Sequence, residues 1–88
     1  MLSSFYLTHY DVMCEIGFQI DKKSPPHVTS EHHYDPAKDL WSIAVKINGI
    51  KGSFSYPVED LSLSIDEFSK KHVVPFVSRV YGKEAVPV

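Results

Sequence analysis

The chain has 88 residues, 43% hydrophobic and 23% charged, and this size fits one small α+β domain spanning residues 1–88 with a thin core. A formal net charge of -2 with dispersed Lys and Arg excludes a concentrated basic surface, so nucleic acid is not an expected partner. Cys14 is the only cysteine, which excludes an internal disulfide. No apolar run approaches the ~20 residues of a bilayer-crossing helix, which argues against a membrane. The first residues carry no positively charged leader region, and Ser3, Ser4, His9 and Asp11 break the apolar positions there. A cytoplasmic protein is therefore expected.

The run from Ser4 to Ile20 carries two competing patterns. Tyr6, Thr8, Tyr10, Val12, Cys14, Ile16, Phe18 and Ile20 alternate with polar residues as a strand would. Leu2, Phe5, Tyr6, Tyr10, Met13 and Ile20 offer a helical stripe instead. Aromatic and β-branched residues dominate, so residue type favours a strand, bent near His9 to Asp11 or at Gly17. Asp21 to Pro26 reads as a loop, since Pro25-Pro26 forbids regular structure.

His27 to Tyr34 follows as a polar edge strand, and Asp35-Pro36 opens a tight turn into the next strand. The clearest local signal is Asn48-Gly49, which suits a type I′ turn because both positions need positive φ. A two-residue turn there pairs Ile47 with Ile50, Val45 with Gly52, Ile43 with Phe54 and Trp41 with Tyr56. The alternation of apolar residues demands the same register. Gly52 opposite Val45 marks a bulge or a close backbone approach. Lys46 and Lys51 face each other on the outer side, a repulsion that Asp11 or Glu15 on a neighbouring strand would relieve.

Ser64 and Glu67 form a capping-box pattern, with Leu63 and Phe68 at the staple positions. Ile65, Phe68, His72, Val73, Phe76, Val77 and Val80 follow one helical face. Pro75 predicts a kink, or a break with a second short helix beginning there, and Gly82 a stop. Lys83 to Val88 reads as a mobile tail. The expected fold is an antiparallel meander of three to four strands with this one C-terminal helix packed on one face.

Chemistry is sparse. His27, His32 and His33, with Glu31 and Asp35, are metal-ligand types, but His32 and His33 are adjacent and point to opposite faces of a strand. Cys14 falls on the apolar register and reads as a small buried hydrophobe. His72 lies on the apolar helix face as a core or rim residue. No phosphate loop, nucleophile elbow or CxxC is present, so no catalytic, cofactor or metal residue is assigned and an enzyme is not expected. Eleven aromatic residues in so short a chain imply apolar surface to spare, in an interface with a protein partner or a second copy, a homodimer through a sheet edge or face being expected. The leading functional expectation is a non-enzymatic protein-binding or regulatory module, like inhibitors, antitoxins or immunity proteins in size. The alternative is a small-ligand or metal-binding protein using His27 to Asp39.

Overall fold

The computed structural model describes residues 6–82. In chain order it contains a helix, α1 (His9–Ile20), and three strands, β1 (Thr29–Asp35), β2 (Leu40–Ile47) and β3 (Ile50–Pro57). A 3-10 turn (Val58–Ser62) leads into a second helix, α2, built from Ile65–Phe68, a π-helical turn over Ser69–Val73, and Val74–Tyr81. The strands form an antiparallel meander in the order β1-β2-β3. The α+β class, the meander and the C-terminal helix agree with the sequence. The tail Lys83 to Val88 lies outside the described residues, as do residues 1–5.

The hairpin register matches the expectation pair for pair, from Ile47 with Ile50 to Trp41 with Tyr56. Asn48 (φ 52°) and Gly49 (φ 82°) supply the two left-handed positions of the turn. Pairing of β1 with β2 sets His32 opposite Ile43 and Tyr34 opposite Trp41. Every second residue of the sheet therefore faces the helices. The other face carries Thr29, Glu31, His33, Ser42, Lys46, Lys51, Ser53 and Ser55 and is polar.

The first run is a helix, not a strand. Thr8 caps it: the Asp11 N–H donates to Thr8 Oγ1 (3.1 Å), and the Thr8 N–H donates to Asp11 Oδ2 (2.8 Å). Residues two apart on a helix are rotated by about 200°, so the even positions divide between two opposite faces. Val12 and Ile16 are fully buried, whereas Tyr6, Tyr10, Cys14 and Phe18 point outward. Strand propensity loses here because burial of Val12 and Ile16 over the sheet outweighs it. Asp11 and Glu15 consequently lie off the sheet and do not flank Lys46 and Lys51, which do face each other as expected. Glu31 of β1 is the acid that shares a groove with them on that face.

Both helices cover the same face. Val12 and Ile16 of α1 share one core with Ile43, Val45, Ile47 and Tyr56 of the sheet and Phe68, Val73, Phe76 and Val77 of α2. The Leu7 N–H donates to Leu61 O (2.7 Å), so α1 starts beside the turn that leads into α2. Ser64 caps α2, its Oγ accepting from the Glu67 N–H at 3.2 Å. A proline in a helix crowds the carbonyl four residues earlier, here Lys71. The π-helical turn ends just ahead of Pro75, with the Val74 N–H donating to Ser69 O, so Pro75 stands in the first turn of the last segment without a separate helix starting. Gly82 (φ 67°) ends α2 in the left-handed conformation.

Gly52 marks a close approach rather than a bulge. A Cβ there would lie 2.8 Å from Val80 Cγ1 and 3.0 Å from Phe76 Cε1. Val80 is β-branched and stiff on a helix, so it cannot swing aside. Gly52→Ala is expected to destabilise by about 1–3 kcal/mol in urea unfolding, with Val80→Ala in the same chain recovering part of the loss. Tyr56 is fully buried, and among the described residues its hydroxyl has no hydrogen-bond partner. Burial pushes its pKa up to about 12. Tyr56→Phe is expected to leave stability unchanged or raise it by up to about 1 kcal/mol, and a loss of that size would reveal a partner for the hydroxyl.

Candidate functional site

Three arrangements on this scaffold have chemical or binding potential. The first is the exposed side of α1. Tyr10, Cys14 and Phe18 follow one another at four-residue spacing along α1, and Tyr6, just before the Thr8 cap, lines the same groove and extends the ridge beyond the helix start. Tyr6 is 65% exposed, Tyr10 73% and Phe18 41%. Contact with the Cys14 side chain raises the Tyr10 pKa, so the phenol stays neutral across the physiological range. A groove runs along each side of the ridge. One lies between α1 and the start of α2, with Leu7, Leu63 and Ile65 in its wall. The other lies between α1 and the loop before β1, with Met13, Pro25 and Val28. Gly17 lets that loop close in, since a Cβ there would meet Pro26 O at 3.3 Å. Cys14 is exposed on the ridge, contrary to the buried position expected of it.

The second arrangement is a pair of histidines. His9, at the start of α1, stacks on His32 of β1 with ring centroids 3.9 Å apart and planes 7° from parallel. Trp41 meets the edge of His9 at 4.5 Å. His32 Nε2 is 2.9 Å from Ser30 Oγ, while its Nδ1 is buried without a partner among the described residues. Protonation would place an N–H on that nitrogen with nothing to receive it. Burial lowers both pKa values, and for His32 the neighbouring His9 lowers it further. Stacked rings aim their nitrogens sideways rather than at a common point, which suits packing better than metal ligation. His33 lies on the outer face of the sheet and His27 in the loop before β1, so the three histidines singled out in the sequence are not brought together. Among the described residues no group of three or more His, Cys, Asp or Glu could hold a metal ion.

The third is Asp60, buried in the 3-10 turn. His72 Nε2 lies 2.7 Å and Lys71 Nζ 3.0 Å from its Oδ2. Burial alone would raise the Asp60 pKa, but the hydrogen bonds and charges of His72 and Lys71 reverse this and hold it below its ordinary value. His72 in turn packs on Tyr56 and Phe68. Of the core and rim positions open to it from the sequence, His72 takes the rim, and the carboxylate it meets ties the 3-10 turn to α2. Every polar group of this cluster is engaged in holding the fold.

No protein-family model matches the chain, and comparison with curated proteins and with solved structures returns no match. The function therefore has to be argued from the surface itself. Sequence reasoning missed the ridge because its four residues sat within the even register read as a strand. The Thr8-Asp11 cap, read together with the four-residue spacing, was the signal for it.

The histidine pair generates a pH dependence of definite sign. Both folded-state pKa values lie below the ordinary 6.5, so the unfolded chain takes up protons first as the pH falls. Their contribution is complete above 6.5 and is lost as the pH drops through the folded values. The contribution of Asp60 is lost only below its ordinary 3.8, in a separate window. Denaturant unfolding at about pH 8 and about pH 5 is expected to show lower stability at the acid value. His9→Phe should flatten the difference, and an undiminished loss would assign the acid sensitivity to other groups.

Proposed function

We propose that this chain is a small non-enzymatic protein-binding or regulatory module, comparable in kind to inhibitor, antitoxin or immunity proteins, and that the exposed side of α1 is its binding face. The observation that carries this reading is the aromatic ridge of Tyr6, Tyr10 and Phe18 with an apolar groove on either side. Tyr residues with an apolar body and a polar tip are enriched at protein interfaces and supply much of their energy. A contiguous exposed apolar face of this kind marks an interaction site. Among the described residues the hollows beside the ridge are open grooves, which suits a convex ridge that enters a partner. The Asp60–His72 pair, the nearest approach to catalytic chemistry, has a structural use already.

The reading is tested with immobilised protein as bait. The wild type is expected to retain a protein, whether another chain or further copies of itself, that a Tyr10→Asp, Phe18→Asp variant retains at least about tenfold less, with both baits giving the same circular dichroism spectrum. Equal retention by the two baits would remove α1 from the binding role.

A further inference from the structure

We infer that the binding face takes an extended segment of a partner protein, which adds to the free edge of β1 as a fourth strand beneath the outer flank of α1. This rests on the reading of α1 as the binding face and goes beyond it by naming the form and chemistry of the partner.

The main-chain pattern locates the free edge. Ile47 and Ile50 close a two-residue hairpin and exchange main-chain hydrogen bonds, so Ile47, Val45, Ile43 and Trp41 bond to β3 and Lys46, Ala44, Ser42 and Leu40 to β1. The β1 partners of that second set are Thr29, Glu31, His33 and Asp35. The N–H and C=O groups of Ser30, His32 and Tyr34 therefore point away from the sheet, and among the described residues none has a main-chain partner. β1 keeps a regular register over its 7 residues, with no Pro, Lys or bulge to deter pairing. The edge of β3 is guarded instead: Arg79 Nη2 donates to Ser53 O at 3.1 Å, and Pro57 has no N–H to offer.

The widths of the two layers argue for one more strand on that side. α2 sits over β3 at Gly52, while α1 lies along β1, with His9 stacked on His32 and a Cβ on Gly17 falling 3.4 Å from Val28 Cγ2. Two packed helices cover about 20 Å, whereas three strands span about 14 Å. α1 therefore overhangs β1 by about one strand. A second β1 does not fit there, because the α1 helices of both copies would claim the same overhang.

The side chains around this place set the chemistry of the occupant. The flank of α1 carries Tyr10 and Met13, which line a groove with Pro26 and Val28. Alternate residues of an added strand meet that apolar groove, and the others lie on the outer face beside Glu31 and Asp35. Among the described residues neither carboxylate has a salt-bridge partner. The fitting segment is therefore apolar at every second position, with Lys or Arg in between.

The experiment titrates the full-length protein with a peptide as long as β1, alternating Val and Lys, and follows the backbone amides by NMR. The amides of Ser30, His32 and Tyr34 are expected to exchange rapidly in the free protein, and to shift and become protected with millimolar peptide. A Val-Glu peptide should bind at least about tenfold more weakly, and Glu31→Gln should narrow that ratio. The Val-Lys peptide N-methylated throughout should not bind, which tests the main-chain bonds without altering the protein. Ser30→Pro removes an outward N–H and leaves the β1–β2 ladder intact, so it should weaken binding at least about tenfold with an unchanged circular dichroism spectrum. No shift at these amides, or equal binding of the N-methylated peptide, overturns the inference. Protection of the same amides before peptide is added also overturns it, since the edge is then filled by this chain or by another copy. If a protein retained through Tyr10 and Phe18 is indifferent to Ser30→Pro, the inference fails and the binding-face reading stands. If retention depends on none of the three residues, both fail.

Discussion

The seat of α2 on β3 at Gly52 governs the rest of the packing. Val80 and Phe76 lie where a side chain at position 52 would begin, so the helix reaches the sheet only because residue 52 has none. That contact lets Phe76 pack against Phe54, ring centroids 4.6 Å apart and planes tilted by 40°, and brings Arg79 and Tyr81 onto the carbonyls of Ser53 and Ile50. With α2 drawn over β3, the apolar residues of β2 remain to be covered from the other side. Val12 and Ile16 of α1 do this. A helix buried along one stripe keeps the opposite stripe outward, and on α1 that stripe is aromatic.

The polar groups at the edges of the core follow from the same arrangement. Glu15 Oε2 accepts from Ser69 Oγ (2.6 Å) and from Gln19 Nε2 (2.8 Å), so α1 is tied to the π-helical turn of α2 by a satisfied carboxylate. Asp60 plays the same part between the 3-10 turn and α2. His9 and His32 close the junction of α1 with β1. At Glu15 and Asp60, losing the partner would leave a carboxylate unmatched at the edge of a small core, which is costly, whereas His9 and His32 meet as stacked rings. Such placements account for the shifted pKa values without any catalytic use, so the functional argument rests on the exposed surface of α1.

That surface differs from the remainder of the molecule in kind. The outer face of the sheet is lined with Ser, Lys, Glu and His, as expected of a solvated antiparallel sheet. The side of α1 carries three large aromatics between apolar grooves. A chain of this size has few ways to bind a partner strongly, and a row of aromatic anchors on a rigid helix is an effective one, since little conformational freedom is lost on docking.

The sequence by itself determined the β2–β3 hairpin to the residue, the Ser64 cap and the stop at Gly82, and left Gly52 as either a bulge or a close approach. Each depends on interactions between near neighbours: a turn that needs positive φ at Asn48 and Gly49, an alternation that agrees with it, a cap three residues from its acceptor. The π-helical turn before Pro75 was legible only as a disturbance. The state of residues 9–20 and the exposure of Cys14 were decided by tertiary structure. Tyr6, Tyr10, Cys14 and Phe18 share the even register of a strand with Val12 and Ile16, and only on a helix do the two sets separate to opposite faces. Which of those conformations forms depends on how much of the sheet α2 leaves uncovered, a long-range condition; within the first twenty residues only the Thr8-Asp11 cap and the four-residue spacing pointed to the helix. The meeting of His9 with His32 and Trp41 was hidden for the same reason, because it exists only once α1 lies across the sheet.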